Sequence, residues 1–415
     1  MPLAHRDWSA RYNGRVSSPT ASAPRSAPAG LVTLVERFDH AAFDLPGGRA
    51  VIRAAITGGE EWDVIVERGR VRLSEPGRGQ PDALLSADAA TWEAIASDVA
   101  RGMDAFRRGR LRVRRNLHLG VGFLAATSGM AGPGRLRFRR VRTRAGAFSI
   151  IEAGQGPPVL MLHGLGGTKA SFLPSIAALA PSFRTVAVDL LGFGDSDKPL
   201  GASYGPGFQA RAVEQLLDAL ELERAHIVGH SMGGRVALEL GFAHAGRTDG
   251  LVLMTPAMAW LRERRWAPYL RWIRPELGLI QLAPRAAVEP FMRWLIPGAD
   301  TSWGQSAIDE FVRTYTSPRG RAAFYAAARN IYLDEPHGDE GFWSRLRTLA
   351  PESLFIWGRN DRLVPLAFIK HVERALPAAE HVELICGHLP QIERPRETHA
   401  AIARFLGRVG SGAGH

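Results

Sequence analysis

A chain of 415 residues that is 46% hydrophobic is long enough for two or three domains and has the apolar fraction of a globular protein with a substantial core. No apolar stretch reaches bilayer length, the first residues lack the apolar centre of a secretory signal, and the single cysteine, Cys386, excludes an internal disulfide, so a cytoplasmic protein is expected. The net charge of +11 is almost wholly arginine, clustered over 101–144 and 262–293, but these runs carry no nucleic-acid fold signature; no nucleic acid partner is expected, and solvated faces account for them.

Residues 1–30 are rich in Ser, Pro, Ala and Arg without apolar periodicity, which predicts a flexible tail. From residue 31 a helical opening gives way to alternating runs at 50–56, 62–66 and 69–73, consecutive strands of an antiparallel meander. A fourth strand over 83–86 leads into 88–96, where the apolar spacing turns helical around Trp92. The segment from Ala105-Phe106 through Gly109 and Leu111 to Val113, and then the apolar run 117–125, complete the region. A strand, a Trp-bearing helix, an Ala-Phe-x-x-Gly-x-Leu-x-Val turn and an apolar C-terminal helix, in that order, resemble the sterol carrier protein 2-like lipid-binding domain, here 31–130. The resemblance implies a small α+β module that holds lipids or other apolar molecules between a sheet and helices. Trp92, Phe106 and Phe123 suit the lining of such a cavity and plain core packing equally.

A Gly-Pro-rich break follows, with 131–136 as the linker. Residues 137–142 and 147–152 then read as an antiparallel pair, and apolar strands recur at 158–162, 184–189, 225–228, 250–254, 353–357 and 381–385 with helical segments between. This alternation predicts an α/β fold, a mostly parallel sheet with helices on both faces.

Ligands of such sheets gather beyond the strand C-termini, and the reactive residue types stand there. The strand ending at Val228 runs through Gly229-His230-Ser231-Met232-Gly233 straight into a helical pattern. A strand that becomes a helix within one residue strains that residue and demands small neighbours two positions away, which Gly229 and Gly233 supply. His163-Gly164-Leu165-Gly166-Gly167 follows the 158–162 strand, Asp361 lies in the loop after 353–357, and His388 lies after 381–385. Nucleophile, acid and base in that order, with the glycine-flanked turn and the glycine-rich loop, resemble the α/β-hydrolase superfamily from residue 137 onward.

The chemistry assigns each residue a role. Ser231 attacks a carbonyl while His388 takes its proton, Asp361 orients His388, and the Leu165 and Met232 amides hold the oxyanion, with Gly166 as the alternative to Leu165. Asp334 and Asp339 follow no strand, and His163, His230 and His399 are poorly placed as the base, although His230 could line the pocket. The loop 189–196 reads as packing, Glu393 as a helix cap and Cys386 as a small buried residue. A serine at 231 disfavours the dehalogenases and epoxide hydrolases of the superfamily, whose nucleophile is a carboxylate.

Between 257 and 344 the strand pattern stops, and the resemblance implies a helical cap over a hydrolase core of 137–256 and 345–412. Trp260, Trp266, Trp272, Phe291 and Trp294 stand among Arg262, Arg264, Arg265, Arg271, Arg274 and Arg293. That interleaving suits peripheral contact with an anionic membrane. The expected arrangement is nonetheless a cap that turns its aromatics inward, onto the core and over an apolar pocket. Together these features predict a serine hydrolase that cleaves esters, or thioesters, of apolar or lipid-like acyl compounds without cofactor or metal. The same triad serves a C–C bond hydrolase or a perhydrolase, and a non-catalytic lipid-binding protein is the reading from a different class.

Overall fold

The structure, a computed structural model, describes residues 27–97, 100–130, 132–259, 265, 267–295 and 300–412. Most of the expected tail thus lies outside the described residues, and its last two positions already belong to the first helix, α1 (Ala29–Glu36), which buries Leu31, Leu34 and Val35. Strands β1 (Arg49–Ile56), β2 (Glu61–Glu67) and β3 (Arg70–Ser74) form the antiparallel meander. The fourth strand, β4 (Ala83–Ala87), does not extend it but crosses back to lie parallel to β1. The crossing is pinned by Asp63, which accepts from Arg53 Nε (2.7 Å) and from the Gly77 N–H (2.8 Å).

Helix α2 (Ala89–Ser97) starts where Asp88 Oδ1 accepts from Thr91 N (2.7 Å), and Trp92 Nε1 donates to the Ala55 carbonyl (3.1 Å). After α3 (Ala100–Arg107), β5 (Arg112–Arg114) completes the sheet in the order β3-β2-β1-β4-β5. Trp92, Phe106 and Phe123 are all buried in this module's core. Helix α4 (Leu117–Ala126), capped by Asn116, is buried on every side, as an all-round apolar sequence requires. It lies between its own sheet and the second module: at Gly122 a side chain would meet Phe43, and His118 stands edge-on to Phe138.

The second sheet contains β6 (Arg137–Arg142), β7 (Ala147–Ala153), β8 (Pro158–Leu162), β9 (Arg184–Val188), β10 (Ala225–His230), β11 (Thr248–Met254), β12 (Ser353–Gly358) and β13 (Glu380–Leu384), in the order β13-β12-β11-β10-β8-β9-β7-β6. It is parallel from β13 to β9, with β7 antiparallel to both its neighbours. Alternate strand residues feed opposite cores. Met161, Val228, Val252 and Ile356 face a core that includes α5 (Leu173–Leu179), whereas Leu162, Ile227, Leu253 and Phe355 face one built with α6 (Pro206–Ala219) and α7 (Met232–Ala243).

Between β11 and β12 lie a 3₁₀ turn, Ala267–Trp272, and helices α8 (Leu277–Ile280), α9 (Arg285–Leu295), α10 (Ser302–Thr316), α11 (Pro318–Tyr332) and α12 (Phe342–Leu346). Helices α13 (Ile369–Ala375), α14 (Pro390–Glu393) and α15 (Pro395–Gly412) close the chain.

Of the five aromatics expected to turn inward, the two whose side chains are described do not, and the side chain of Trp294 lies outside the described residues. Trp272 and Phe291 are exposed, while Trp260 and Trp266 lie outside the described residues. In α9 the buried stripe is Val288 and Met292, four residues apart, which leaves Phe291 off the inward face. The inward aromatics are instead Phe311 and Tyr315 of α10, stacked on each other, with Phe324 of α11 edge-on to both.

Helix α10 also holds the two modules together. Asp309 accepts from Arg114 Nε (2.6 Å) and Arg115 N (2.8 Å), Glu310 accepts from Leu117 N (2.6 Å), and Ser306 Oγ donates to the Val113 carbonyl (2.6 Å). Phe106 of the first module meets Trp303 edge-on.

Candidate active site

Strand β10 delivers its last residues to the C-terminal edge of the sheet and passes into α7 through Ser231, at φ 51° and ψ −114°. For a residue with a Cβ this is a strained conformation, of the sort a nucleophile turn imposes. The flanking glycines are required by contact: a Cβ on Gly233 would collide with the Leu162 carbonyl, and one on Gly229 with the Gly233 carbonyl.

His388 sits in a loop fastened at five points. Its Nδ1 lies 2.7 Å from Asp361 Oδ2; because the carboxylate only accepts, the neutral ring carries its proton on Nδ1 and leaves Nε2 as the basic lone pair. The His388 carbonyl accepts from Thr255 Oγ1 (3.1 Å) and His230 Nε2 (2.8 Å). Glu393 takes the N–H groups on either side, from Gly387 (2.7 Å) and Leu389 (3.0 Å). Asp361 is likewise satisfied, its Oδ1 accepting from Leu363 N (2.7 Å) and Val364 N (3.0 Å). Burial pushes its carboxyl up, but the His388 hydrogen bond and charge and these two amides outweigh that and hold it below the usual carboxylate range. Among the described residues no hydrogen bond joins Ser231 to His388, a contact that in unliganded enzymes often tightens only with substrate.

The loop 163–167 lies against the turn. A side chain at Gly164 would meet the His230 ring and the Ser231 Cβ. His163 holds this loop: Nδ1 donates to the Gly164 carbonyl (2.8 Å) and Nε2 accepts from Leu190 N (3.0 Å), the pattern of a neutral imidazole. Neither Leu165 N nor Met232 N donates a hydrogen bond among the described residues, and Met232 opens α7 at its positive end. Phe311 and Phe324 close over Gly166.

Sequence reasoning missed several supports. His230 is buried, burial and then the neighbouring His388 lower it to about 3, and it holds the His388 backbone. Glu393 fastens the loop that carries His388, accepting from the amides on either side of it. Below the loop, Lys169 Nζ reaches Asp189 (2.6 Å) and Asp195 (3.2 Å), and Arg313 Nη1 reaches Asp195 (2.7 Å), a buried cluster whose partners lie too far apart in sequence to be paired by inspection. Cys386 is buried with its thiol pushed up to about 12, first by burial, which keeps it protonated at neutral pH.

A mostly parallel sheet whose central strand ends in a strained serine, with a carboxylate-paired histidine in the loop after β13, defines a hydrolase of the α/β type. The chain matches the model of the alpha/beta hydrolase fold over residues 157–395 and that of the SCP-2 sterol transfer family over residues 37–124, and it belongs to the alpha/beta hydrolase family with an SCP2 domain preceding the hydrolase domain.

It is 30% identical over 271 residues to the 2-hydroxymuconate semialdehyde hydrolase of Pseudomonas sp. (strain CF600), covering 64% of this chain and 92% of that protein. It is 41% identical over 289 residues to an uncharacterized protein of Mycobacterium tuberculosis (strain ATCC 25618 / H37Rv), covering 66% of this chain and 82% of that one. The enol-lactonase structure from Burkholderia xenovorans LB400 superposes with a TM-score of 0.53 at 21% identity, over 65% of this chain and all of that one, which establishes the shared fold. The protein is a hydrolase, and no helix among its described residues is long and apolar enough to cross a membrane.

Proposed function

We propose that the protein is a serine hydrolase acting on apolar acyl compounds, esters first and thioesters with them, with Ser231, His388 and Asp361 as its triad. The observation that carries this is the 2.7 Å pair of His388 Nδ1 and Asp361 beside a serine in a strained strand-to-helix turn. Ser231 Oγ attacks the carbonyl carbon as His388 Nε2 takes its proton. The resulting oxyanion is held by the N–H groups of Leu165 and Met232, worth about 3–4 kcal/mol each. Collapse expels the alcohol, protonated by His388, and water activated by the same imidazole releases the acid from the acyl-enzyme. The apolar roof of Phe311 and Phe324 supports an apolar substrate.

In this reading the chain divides into a lipid-binding module over 31–130, a linker at 131–136, the hydrolase core and a cap over 257–344. The module would bring apolar substrate to the cap, with peripheral contact at an anionic membrane as its source.

The relatives favour a second reading, hydrolysis of a C–C bond, since several carry names such as 2-hydroxy-6-oxo-6-phenylhexa-2,4-dienoate hydrolase. One experiment tests both. A fluorophosphonate probe labels Ser231 in the folded protein and not in Ser231→Ala, and rates are compared on p-nitrophenyl esters of increasing acyl length and on a 2-hydroxy-6-oxo-dienoate. Absence of labelling would overturn the triad; cleavage of the dienoate without ester turnover would replace the first reading by the second.

A further inference from the structure

Seven of the eleven large apolar side chains exposed among the described residues lie between Tyr269 and Phe291. Their exposure is built in by the way this stretch is fastened to the helix beneath. At Gly278 a Cβ would meet the Ala322 backbone of α11, so α8 lies directly on that helix. Arg321 Nη2 donates to the Gln281 carbonyl (2.5 Å), and Tyr325 donates to the Gln281 side chain. With Gly278 buried against α11 and Gln281 tied to it, Ile280 (78% exposed) and Leu282 (91%) are left exposed, as are Tyr269 and Trp272 (72% each) of the preceding 3₁₀ turn, which packs on the same helix.

Arg265, Arg271 and Arg274 are exposed on the same stretch, Arg271 with its guanidinium 5.5 Å from the Trp272 ring. The sole acidic residue among the described positions 265–282 is Glu276. Aliphatic tips, interfacial aromatics and guanidinium groups for which no ion pair stands among the described residues match a bilayer surface bearing phosphate headgroups. A second copy of the chain fits poorly, because a two-fold contact through this patch would set the same arginines against each other.

We infer that the outer layer of the cap, 265–282, docks on an anionic lipid bilayer. Helix α11, on which the layer rests, carries on another side Phe324, part of the roof over the loop 163–167. The patch and the roof are therefore two sides of one thin layer, and docking sets the roof of the site against the lipid phase. The docking itself rests on surface chemistry; only its use for substrate supply rests on the function proposed above.

The test is sedimentation of the full-length Ser231→Ala protein with vesicles of phosphatidylcholine alone or with about one-third phosphatidylglycerol. Because this protein cannot turn over an ester, the result stands whether or not the proposed hydrolysis does. Binding is expected to the anionic vesicles, to fall with salt, and to weaken at least about tenfold in Ile280→Asp/Leu282→Asp and in Arg271→Glu/Arg274→Glu. In the background with Ser231 intact, both pairs of changes should leave the rate on a short soluble ester and the far-UV circular dichroism as they were. No binding, equal binding to both vesicle types, or binding untouched by either pair of changes overturns the inference. So does a dimer in free solution that the Ile280→Asp/Leu282→Asp change dissolves, since the patch would then belong to a second copy.

Discussion

His230 donates to the backbone carbonyl of His388, and Glu393 accepts from the amides on both sides of it, so in the proposed mechanism these two residues position the base through its backbone. Glu393→Gln keeps one acceptor of the two and should lower kcat about tenfold, with KM and the melting temperature nearly unchanged. Asp361→Asn leaves the shape intact but stabilises the wrong tautomer of His388, and should cost about 10⁴ in kcat in a steady-state assay. The buried histidines set the acid limit. Burial lowers His163, His230 and His399, the last two to about 3 and about 4. The unfolded counterparts of His230 and His399 take up a proton near pH 6.5, so between about 6.5 and 4 the unfolded chain binds more protons at these two than the folded one. Stability therefore falls as pH falls, by about 1.4 kcal/mol per pH unit for each such group. Urea titrations at several pH values between 7 and 5 should show the slope, and His399→Gln, which can still meet Ser175 Oγ, should flatten it; an unchanged slope would contradict the assignment.

At the scale of elements, the β10 turn and helix α10 matter most. Gly233→Ala pushes a methyl into the Leu162 carbonyl and must open the contact between β8 and α7, at a cost of about 3 kcal/mol read as a fall in melting temperature. Helix α10 has three duties at once. Its Asp309 and Ser306 hold the first module, its Phe311 roofs the site, and its Glu310 accepts from both Leu117 N (2.6 Å) and Thr168 Oγ1 (3.4 Å), just past the glycine-rich loop. That one helix would do all three was not legible in its sequence, since an amphipathic pattern reports which face is buried and not what buries it.

Across the whole molecule, a contiguous apolar cluster runs from Leu34, Trp92 and Phe123 through Phe138 to Val159, Ile356 and Phe405. Two modules sharing a core unfold together, and calorimetry of the intact chain should give one transition. Asp309→Ala removes the carboxylate partner of Arg114, leaving it only Gln305, and the acceptor of the Arg115 amide, and should separate that transition into two, the first module losing about 2–3 kcal/mol. A single transition in that variant would place the coupling in the apolar cluster alone.

The two folds and the positions of Ser231, Asp361 and His388 were readable from the chain itself, because strand-end residues and glycine-flanked turns are local patterns that survive without knowing any partner. What needed the folded molecule was everything decided by long-range neighbours: β4 crossing back beside β1, the grip of His230 and Glu393 on one loop, and the docking of α10 across nearly two hundred residues. The helices between β11 and β12 make the point most plainly. Trp272 and Phe291 carry the same apolar signal as Phe311 and Phe324, and only the layer each helix rests on determines which rings are turned in and which meet the surroundings.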